Sequence, residues 1–268
     1  MRTVLVVQAR SGSSRLPRKV LLPVLGRPLL ELQLERMQAA VGVSEIVVAT
    51  TADPEDRDIF EVARRAGIKC MAGHATDLLG RHFAVAVAEK ADVVIKVPSD
   101  CPLIDRSVIE RVLSAFRARE GHVDFVSNLH PATYPDGNDV EVMTVAALER
   151  AHGEAKRPFE REHTTPFIWD RPDRFRIDNV AWETGLDYSM SHRFTLDYPE
   201  DYDFVRAVYG RLYDASRPLF SLAEIIELLE REPGLMAINE RYKGVNWYRH
   251  HLHEIVHVSS AETRDPGP

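Results

Sequence analysis

Thr3-Val4-Leu5-Val6-Val7 runs directly into Gln8-Ala9-Arg10-Ser11-Gly12-Ser13-Ser14-Arg15-Leu16-Pro17-Arg18-Lys19. The first five residues form an apolar run without alternation, rich in valine. That is the pattern of a strand buried on both faces. The stretch behind them is small, polar and basic. Gly12, Ser11, Ser13 and Ser14 let backbone N–H groups approach a ligand closely, and Arg10, Arg15, Arg18 and Lys19 supply positive charge. A buried strand feeding such a loop is how α/β proteins hold phosphate groups. No Gly-Lys-Ser/Thr follows at Walker A spacing, and no Gly-x-Gly-x-x-Gly is present. The alternative for the isolated loop is a solvated basic turn.

The chain as a whole is acidic where this loop is basic. A formal net charge of −7 over 268 residues makes it a poor partner for nucleic acid. The local charge therefore favours a small anionic ligand over a polyanion. Apolar residues make up 44% of the sequence and charged residues 28%, ordinary for a soluble globular protein with a sizeable core. The length suits a single α/β domain carrying an insertion. Cys70 and Cys101 do not indicate a disulfide framework. No signal peptide and no stretch of membrane-spanning length is apparent. A soluble cytoplasmic protein without nucleic-acid or membrane partners is expected.

Downstream, residues 28–37 read as an amphipathic helix with Pro28 at its start. Residues 46–50 read as a second buried strand. Asp53 then caps a helix, with Pro54 in its first turn and Gly67 at its end. A short strand at 68–71, a helix at 77–90 and a strand at 92–97 continue the alternation. Such alternation argues for a mostly parallel sheet covered by helices on both faces. Ligands of such sheets sit at the carboxyl ends of the strands. Both the head loop and Pro98-Ser99-Asp100-Cys101-Pro102-Leu103-Ile104-Asp105 lie at such ends, so they can meet.

Asp105 is placed to cap a helix from 106 to 120. Asp100 has no helix of its own and is a candidate Mg²⁺ ligand; the alternative is a turn aspartate bonded to its own backbone. Residues 124–128 and 139–145 read as further strands. In the second, Asp139 and Glu141 share one face, directed either into a site or into solvent. Helices are expected at 146–155, from Arg161 onward, at 199–212 and at 221–231. Residues 175–182 and 192–196 are strand-like, the latter ending at Asp197. His250, His251, His253 and His257 crowd the end of the chain at spacings that permit, but do not require, a metal site. Residues 259–268 have a disordered composition.

Ala9-Arg10-x-x-Ser13-Ser14-Arg15-Leu16-Pro17-x-Lys19 resembles the signature loop of the sugar-acid cytidylyltransferases, most closely their spore-coat-polysaccharide branch. The likeness extends over residues 3–245. It implies a Rossmann-like, nucleotide-diphospho-sugar transferase fold with a dimerisation arm inserted at about 130–190. Residues 246–268 form a C-terminal extension outside that domain. It implies CMP transfer from CTP to a small anionic acceptor, a sugar acid or a phosphate or phosphonate compound, by a Mg²⁺-dependent homodimer. By the same resemblance, Asp100 and Asp197 hold the metal, although Ser99 stands where the family has Gly. Asp197 opens Asp-x-Pro-Glu-Asp; it is otherwise the N-cap of the helix behind it. Ala9 to Ser14, Lys19 and Ser99 surround the nucleotide. Arg81 matches an arginine that reads cytosine; otherwise it is a surface helix residue. Asp136-Gly137-Asn138-Asp139-Val140-Glu141 borders the acceptor in the family. His163 of Arg161-Glu162-His163-x-Thr165-Pro166 is a further acceptor contact, or a helix-face histidine satisfied by a neighbour.

Nucleotidyl transfer is mostly positioning and charge neutralisation, so a basic loop and two acids suffice chemically. Arg10, Arg15 and Lys19 would stabilise the charge of the departing pyrophosphate. Two rival functions would leave different marks in the sequence. A nucleotide-binding module without turnover would lack an acid or the loop lysine, and both are present. A glycosyltransferase would show Asp-x-Asp after the fourth strand, whereas Asp100 is followed by Cys101-Pro102.

Overall fold

The computed structural model describes residues 1–266. In chain order its elements are β1 (Thr3–Gln8), a small hairpin of β2 (Pro23–Val24) and β3 (Arg27–Pro28), α1 (Leu29–Gln38), β4 (Glu45–Thr51), α2 (Arg57–Arg65), β5 (Lys69–Gly73), α3 (Leu78–Ala88) and β6 (Val93–Pro98). There follow α4 (Arg106–Ala118), β7 (Phe125–Ser127), β8 (Glu141–Thr144), α5 (Val145–Glu154), α6 (Pro158–His163), α7 (Pro166–Trp169), β9 (Ile177–Asn179), α8 (Pro199–Leu212) and α9 (Leu222–Arg231).

The main sheet has the order β5-β4-β1-β6-β8-β7-β9. Its pairings are parallel except those of β8, which runs antiparallel to both β6 and β7. The uninterrupted apolar run of β1 has the cause expected of it, since each face is buried against a different core. Leu5 and Val7 join Leu29, Ile59, Val108, Phe204 and Ile225 under α1, α2, α4, α8 and α9. Val4 and Val6 join Leu79, Val85, Leu148, Phe159 and Ile168 under α3, α5, α6 and α7. The result is the expected α/β architecture, a mostly parallel sheet with helices on both faces.

Two topological facts position the site. The chain leaves β1 toward β4 on one side and later adds β6 on the other, so a crevice opens at the carboxyl ends of β1 and β6. Because β8 is antiparallel, its amino end lies at that same edge, with Glu141 in register with Lys96. Residues 136–141 therefore approach the crevice before their strand, whereas the head loop and Asp100 approach it after theirs.

Several local expectations are corrected. Asp53 makes no side-chain cap, and a 3₁₀ turn at Pro54–Asp56 precedes α2. Strand β8 has no solvated face: it is interior to the sheet, and Glu141 and Val142 are both buried. The helix expected to begin at Arg161 is already ending there, since α6 closes at His163. Thr164, at φ 74, then reverses the chain before α7. Residues 192–196 form no strand; they run extended between two loops, with Phe194 N donating to Asp136 O at 2.7 Å and Leu196 N to Asp100 O at 2.9 Å. Gly137, at φ +96, makes this crossing possible, because a Cβ there would lie 2.6 Å from the Phe194 carbonyl carbon.

Residues 130–190, read as an inserted arm, contribute β8 and β9 to the main sheet. Within the tail read as disordered, Thr263 Oγ1 accepts from Asn246 N at 3.0 Å and Arg264 N donates to Gly244 O at 2.7 Å. The part of that reading covering 267–268 lies outside the described residues.

Candidate active site

The head loop is held from beneath. Ala9 N continues the sheet by donating to Ala49 O at 3.0 Å. The buried Asp56 carboxylate then accepts from Ser11 N and from Thr51 Oγ1, both at 2.5 Å. Ser11 Oγ donates to Glu55 O at 3.0 Å, and Ser11 O accepts from both Ser13 N and Arg18 N at 3.0 Å. This is a correction for Ser11: its amide and hydroxyl fasten the loop down rather than face the crevice. Arg18, in the left-handed region at φ 57, turns outward to Asp58. Arg10, Gly12, Ser13, Ser14, Arg15 and Lys19 are left lining a cavity of about 860 Å³, within the range of ligand sites.

Lys19 crosses this cavity to the other two anchors. Its Nζ lies 3.2 Å from Asp100 Oδ2, 2.9 Å from Asp197 Oδ1 and 2.8 Å from Leu196 O. Arg15 reaches the same Asp197 oxygen at 2.9 Å. Asp197 is not the cap of α8. Asp201 fills that role, accepting from Asp197 N at 2.9 Å and Tyr198 N at 3.0 Å. The Asp197 carboxylate is thereby released to the cavity. Burial pushes its pKa up, but Lys19, Arg15 and Arg193 overcome this and hold it well below the usual carboxylate range. Burial likewise disfavours the charged form of Lys19, and Asp100 and Asp197 more than offset it, so the ammonium is retained.

Arg81 is not a surface residue. It is 3% exposed, packs across Gly73 and donates to Ala49 O at 3.1 Å. Its Nε has no partner, and burial together with nearby Arg10 lowers its pKa to about 10. Arg81, Ala9 and Ser99 line the same cavity.

Across the crevice, Glu141 is sealed between Lys96 Nζ and Thr165 Oγ1. Asp139 also lines the cavity and accepts from Gly137 N at 3.2 Å. Burial, with Asp100 and Glu141 adding repulsion, raises its pKa to about 7. His163 lies flat on Trp247, ring centroids 3.7 Å apart. Burial, with Lys96 and His251 adding repulsion, lowers its pKa to about 3, so it is a neutral imidazole rather than a cation. The C-terminal histidines disperse: His257 sits on Asp170 and His251 on Glu254. Among the described residues no group of three or more His, Cys, Asp or Glu could cage a metal. Asp100 and Asp197 nonetheless fit Mg²⁺, which takes one or two carboxylates and completes its shell with water and substrate phosphates.

Sequence reasoning missed four contributors. Asp56 anchors the loop. Arg193, 1% exposed, ties Asp136, Asp197 and Asp201 together. Lys96 neutralises Glu141; a lysine inside an apolar strand was the available signal. Trp247 and its neighbours form a wall of the cavity, and no periodicity in that segment announces it.

Comparisons with known proteins bear on the family and the fold. Residues 4–230 match the family described as cytidylyltransferase. The chain is 28% identical to the spore coat polysaccharide biosynthesis protein SpsF of Bacillus subtilis, over 85% of this chain and 94% of that one. It is 32% identical over 132 residues to an 8-amino-3,8-dideoxy-manno-octulosonate cytidylyltransferase of Shewanella, covering 47% of this chain and 52% of that one. A solved cytidylyltransferase of Leptospira borgpetersenii superposes with a TM-score of 0.82 at 29% identity, over 88% of this chain and 97% of that one. With the family match spanning most of its length, the chain is a nucleotidyltransferase belonging to the cytidylyltransferase family.

Proposed function

We propose that the protein transfers CMP from CTP to a hydroxyl of a sugar acid or related small acceptor, releasing pyrophosphate in a Mg²⁺-dependent reaction. The observation that carries this reading is Lys19 Nζ seated between the carboxylates of Asp100 and Asp197 at the mouth of a phosphate-type loop. The acceptor oxygen bonds to the α-phosphorus, the bond from that phosphorus to the β-phosphate oxygen breaks, and the hydroxyl proton is lost. Backbone amides of Gly12 to Ser14, with Arg10, Arg15 and Lys19, neutralise the triphosphate and the leaving pyrophosphate. Mg²⁺, when held by Asp100 and Asp197, supplies charge neutralisation and alignment at the α-phosphate. Arg81 reads the base, with Ala9 and Ser99 beside it. Asp139 and His163 face the acceptor, and Glu141 acts from behind them through Lys96 and Thr165.

Among the described residues no helix is long and apolar enough to cross a membrane. We place the reaction in the cytoplasm, the compartment that supplies CTP, and read the active species as a homodimer paired through residues 130–190. A monomer by light scattering at micromolar concentration would reject the dimer. The central experiment is pyrophosphate release from each of the four nucleoside triphosphates, with and without Mg²⁺, against a panel of acceptors. CTP preference is expected. Preference for another triphosphate, or nucleotide binding without turnover for every acceptor, would reject the assignment.

A further inference from the structure

The family match ends at residue 230, yet the cavity does not. Val245, Asn246, Trp247, Tyr248, His251 and Glu262 line it together with Asp139, and Trp247 stacks on His163. This wall is built, not draped. Ile255 and Val258 are buried in the core under α5 and α7. Asp170 accepts from Val256 N at 3.0 Å and His257 N at 2.9 Å, and Arg157 donates to Glu254 O at 2.8 Å. Nearer the cavity, Glu262 O accepts from Asn246 Nδ2 at 2.7 Å and from Tyr248 OH at 2.6 Å. Trp247 is thus carried on a segment fastened at both ends.

The chemistry of the wall is specific. Among the described residues, the ring stacked face to face on Trp247 is His163, at an interplanar angle of 16°, while Tyr248 and His251 meet it at 75° and 55°. His163 covers one face of this half-buried indole, so a ligand ring would lie against the other, which suits the apolar C–H face of a sugar. Asp139, which lines the same cavity, has no ion-pair partner among the described residues and can only accept hydrogen bonds while ionised. Lys96, the nearest lysine on the sheet, is taken by Glu141. A ring that presents donors, hydroxyl or ammonium, is the one the ionised Asp139 carboxylate favours.

We propose that residues 245–262 are the acceptor-selecting wall of the active site. Trp247 is the surface on which the ring of a sugar-like acceptor lies, and Asp139 takes hydrogen bonds from that ring's hydroxyl or ammonium groups. The inference rests on the cytidylyl-transfer reading for the identity of the second substrate, but not for the existence of the subsite.

The test is calorimetric titration of the full-length protein with 3-deoxy-manno-octulosonic acid, its 8-amino analogue and neutral hexoses, alongside CTP. Trp247→Ala should weaken the ring probe that binds wild type by roughly tenfold or more, the scale for removing an aromatic anchor. Its CTP affinity should fall much less than its affinity for the ring probe, since no hydrogen bond or ion pair joins Trp247 to the phosphate loop among the described residues. Trp247→Phe should restore most of the binding, and the indole fluorescence change on adding that probe should shrink to the part owed to Trp169, which also lines the cavity. Asp139→Asn should weaken the amino probe more than its hydroxyl counterpart. Unchanged ring-probe affinity in Trp247→Ala would overturn the proposal, as would a wild-type protein that binds CTP but none of the probes. Ring binding without CTP binding would reject the cytidylyl reading and leave the wall standing. If Trp247→Ala does not fold, Trp247→Phe with its fluorescence readout decides alone.

Discussion

Lys19 and Asp197 stand 2.9 Å apart, Nζ to Oδ1, although 178 residues separate them in the chain. The contact joins the end of the first loop to the segment before α8, and Asp100 shares the same ammonium at 3.2 Å. A lysine here holds together two acids that would otherwise repel.

Lys19→Met should therefore act in two ways. Pyrophosphate release at saturating CTP should fall by roughly 10²-fold, because the charge stabilising the leaving group is gone. Thermal stability should also fall, by about 1–2 kcal/mol for a partly buried pair, and Mg²⁺ should restore much of it by replacing the missing cation. Calorimetry of CTP binding, with turnover at saturation, separates the effects. A full rate at high CTP would show that Lys19 only anchors the ground state.

Asp100→Asn should leave the fold intact, since its side chain is 32% exposed and packs in neither core. Turnover should drop by roughly 10²-fold or more, and the Mg²⁺ concentration for half-maximal rate should rise. Near-normal activity at saturating Mg²⁺ would remove Asp100 from the metal site.

Asp56→Ala tests the foundation of the loop. Ser11 N and Thr51 Oγ1 lose their buried acceptor, at a cost of about 1–3 kcal/mol. The KM for CTP should rise more than kcat falls, because Asp56 positions the loop and does not touch the phosphates. Equal losses in both would instead make the change catalytic.

The pH dependence of stability should carry the mark of Asp139. Its folded pKa, about 7, lies above the unfolded value, so the native state binds the extra proton between about pH 4 and pH 7. Stability contributed by this group then declines as pH rises through that window and is constant above it. Asp139→Asn should flatten the decline, leaving the variant more stable than wild type at pH 8 by on the order of 1–2 kcal/mol. Urea midpoints at pH 5 and pH 8 measure it; the same slope in both proteins would exclude Asp139 as its source. Asp197 acts with the opposite sign, its stabilisation being lost only as pH falls below about 4.

Arg81→Met should weaken CTP binding by roughly tenfold and narrow the difference between CTP and UTP, if the unpartnered Nε is the group that reads the base. Unchanged selectivity in competition binding would place the base elsewhere.

The parallel sheet, the small basic loop and the acids that end up beside it were legible in the residues alone. A strand buried on both faces must be written as an uninterrupted apolar run, and a loop that meets phosphates must be small and basic, so both are local properties of β1 and residues 8–19. The strand expected at 192–196 failed for the complementary reason. That segment alternates polar and apolar residues and runs extended, but its backbone partners are Asp100 O and Asp136, contributed by two loops rather than by a neighbouring strand. Periodicity records which faces are buried, not against what. The same limit hid the capping by Asp201, the turning of Ser11 toward Asp56, and the burial of Arg81. Only the tertiary structure brought Trp247 to the crevice, because a composition rich in polar and small residues near the end of the chain does not reveal that Ile255 and Val258 reach the core. Where a side chain's partner is near in sequence or set by strand order, the residues announce it; where it is set by two loops crossing at Gly137, packing decides.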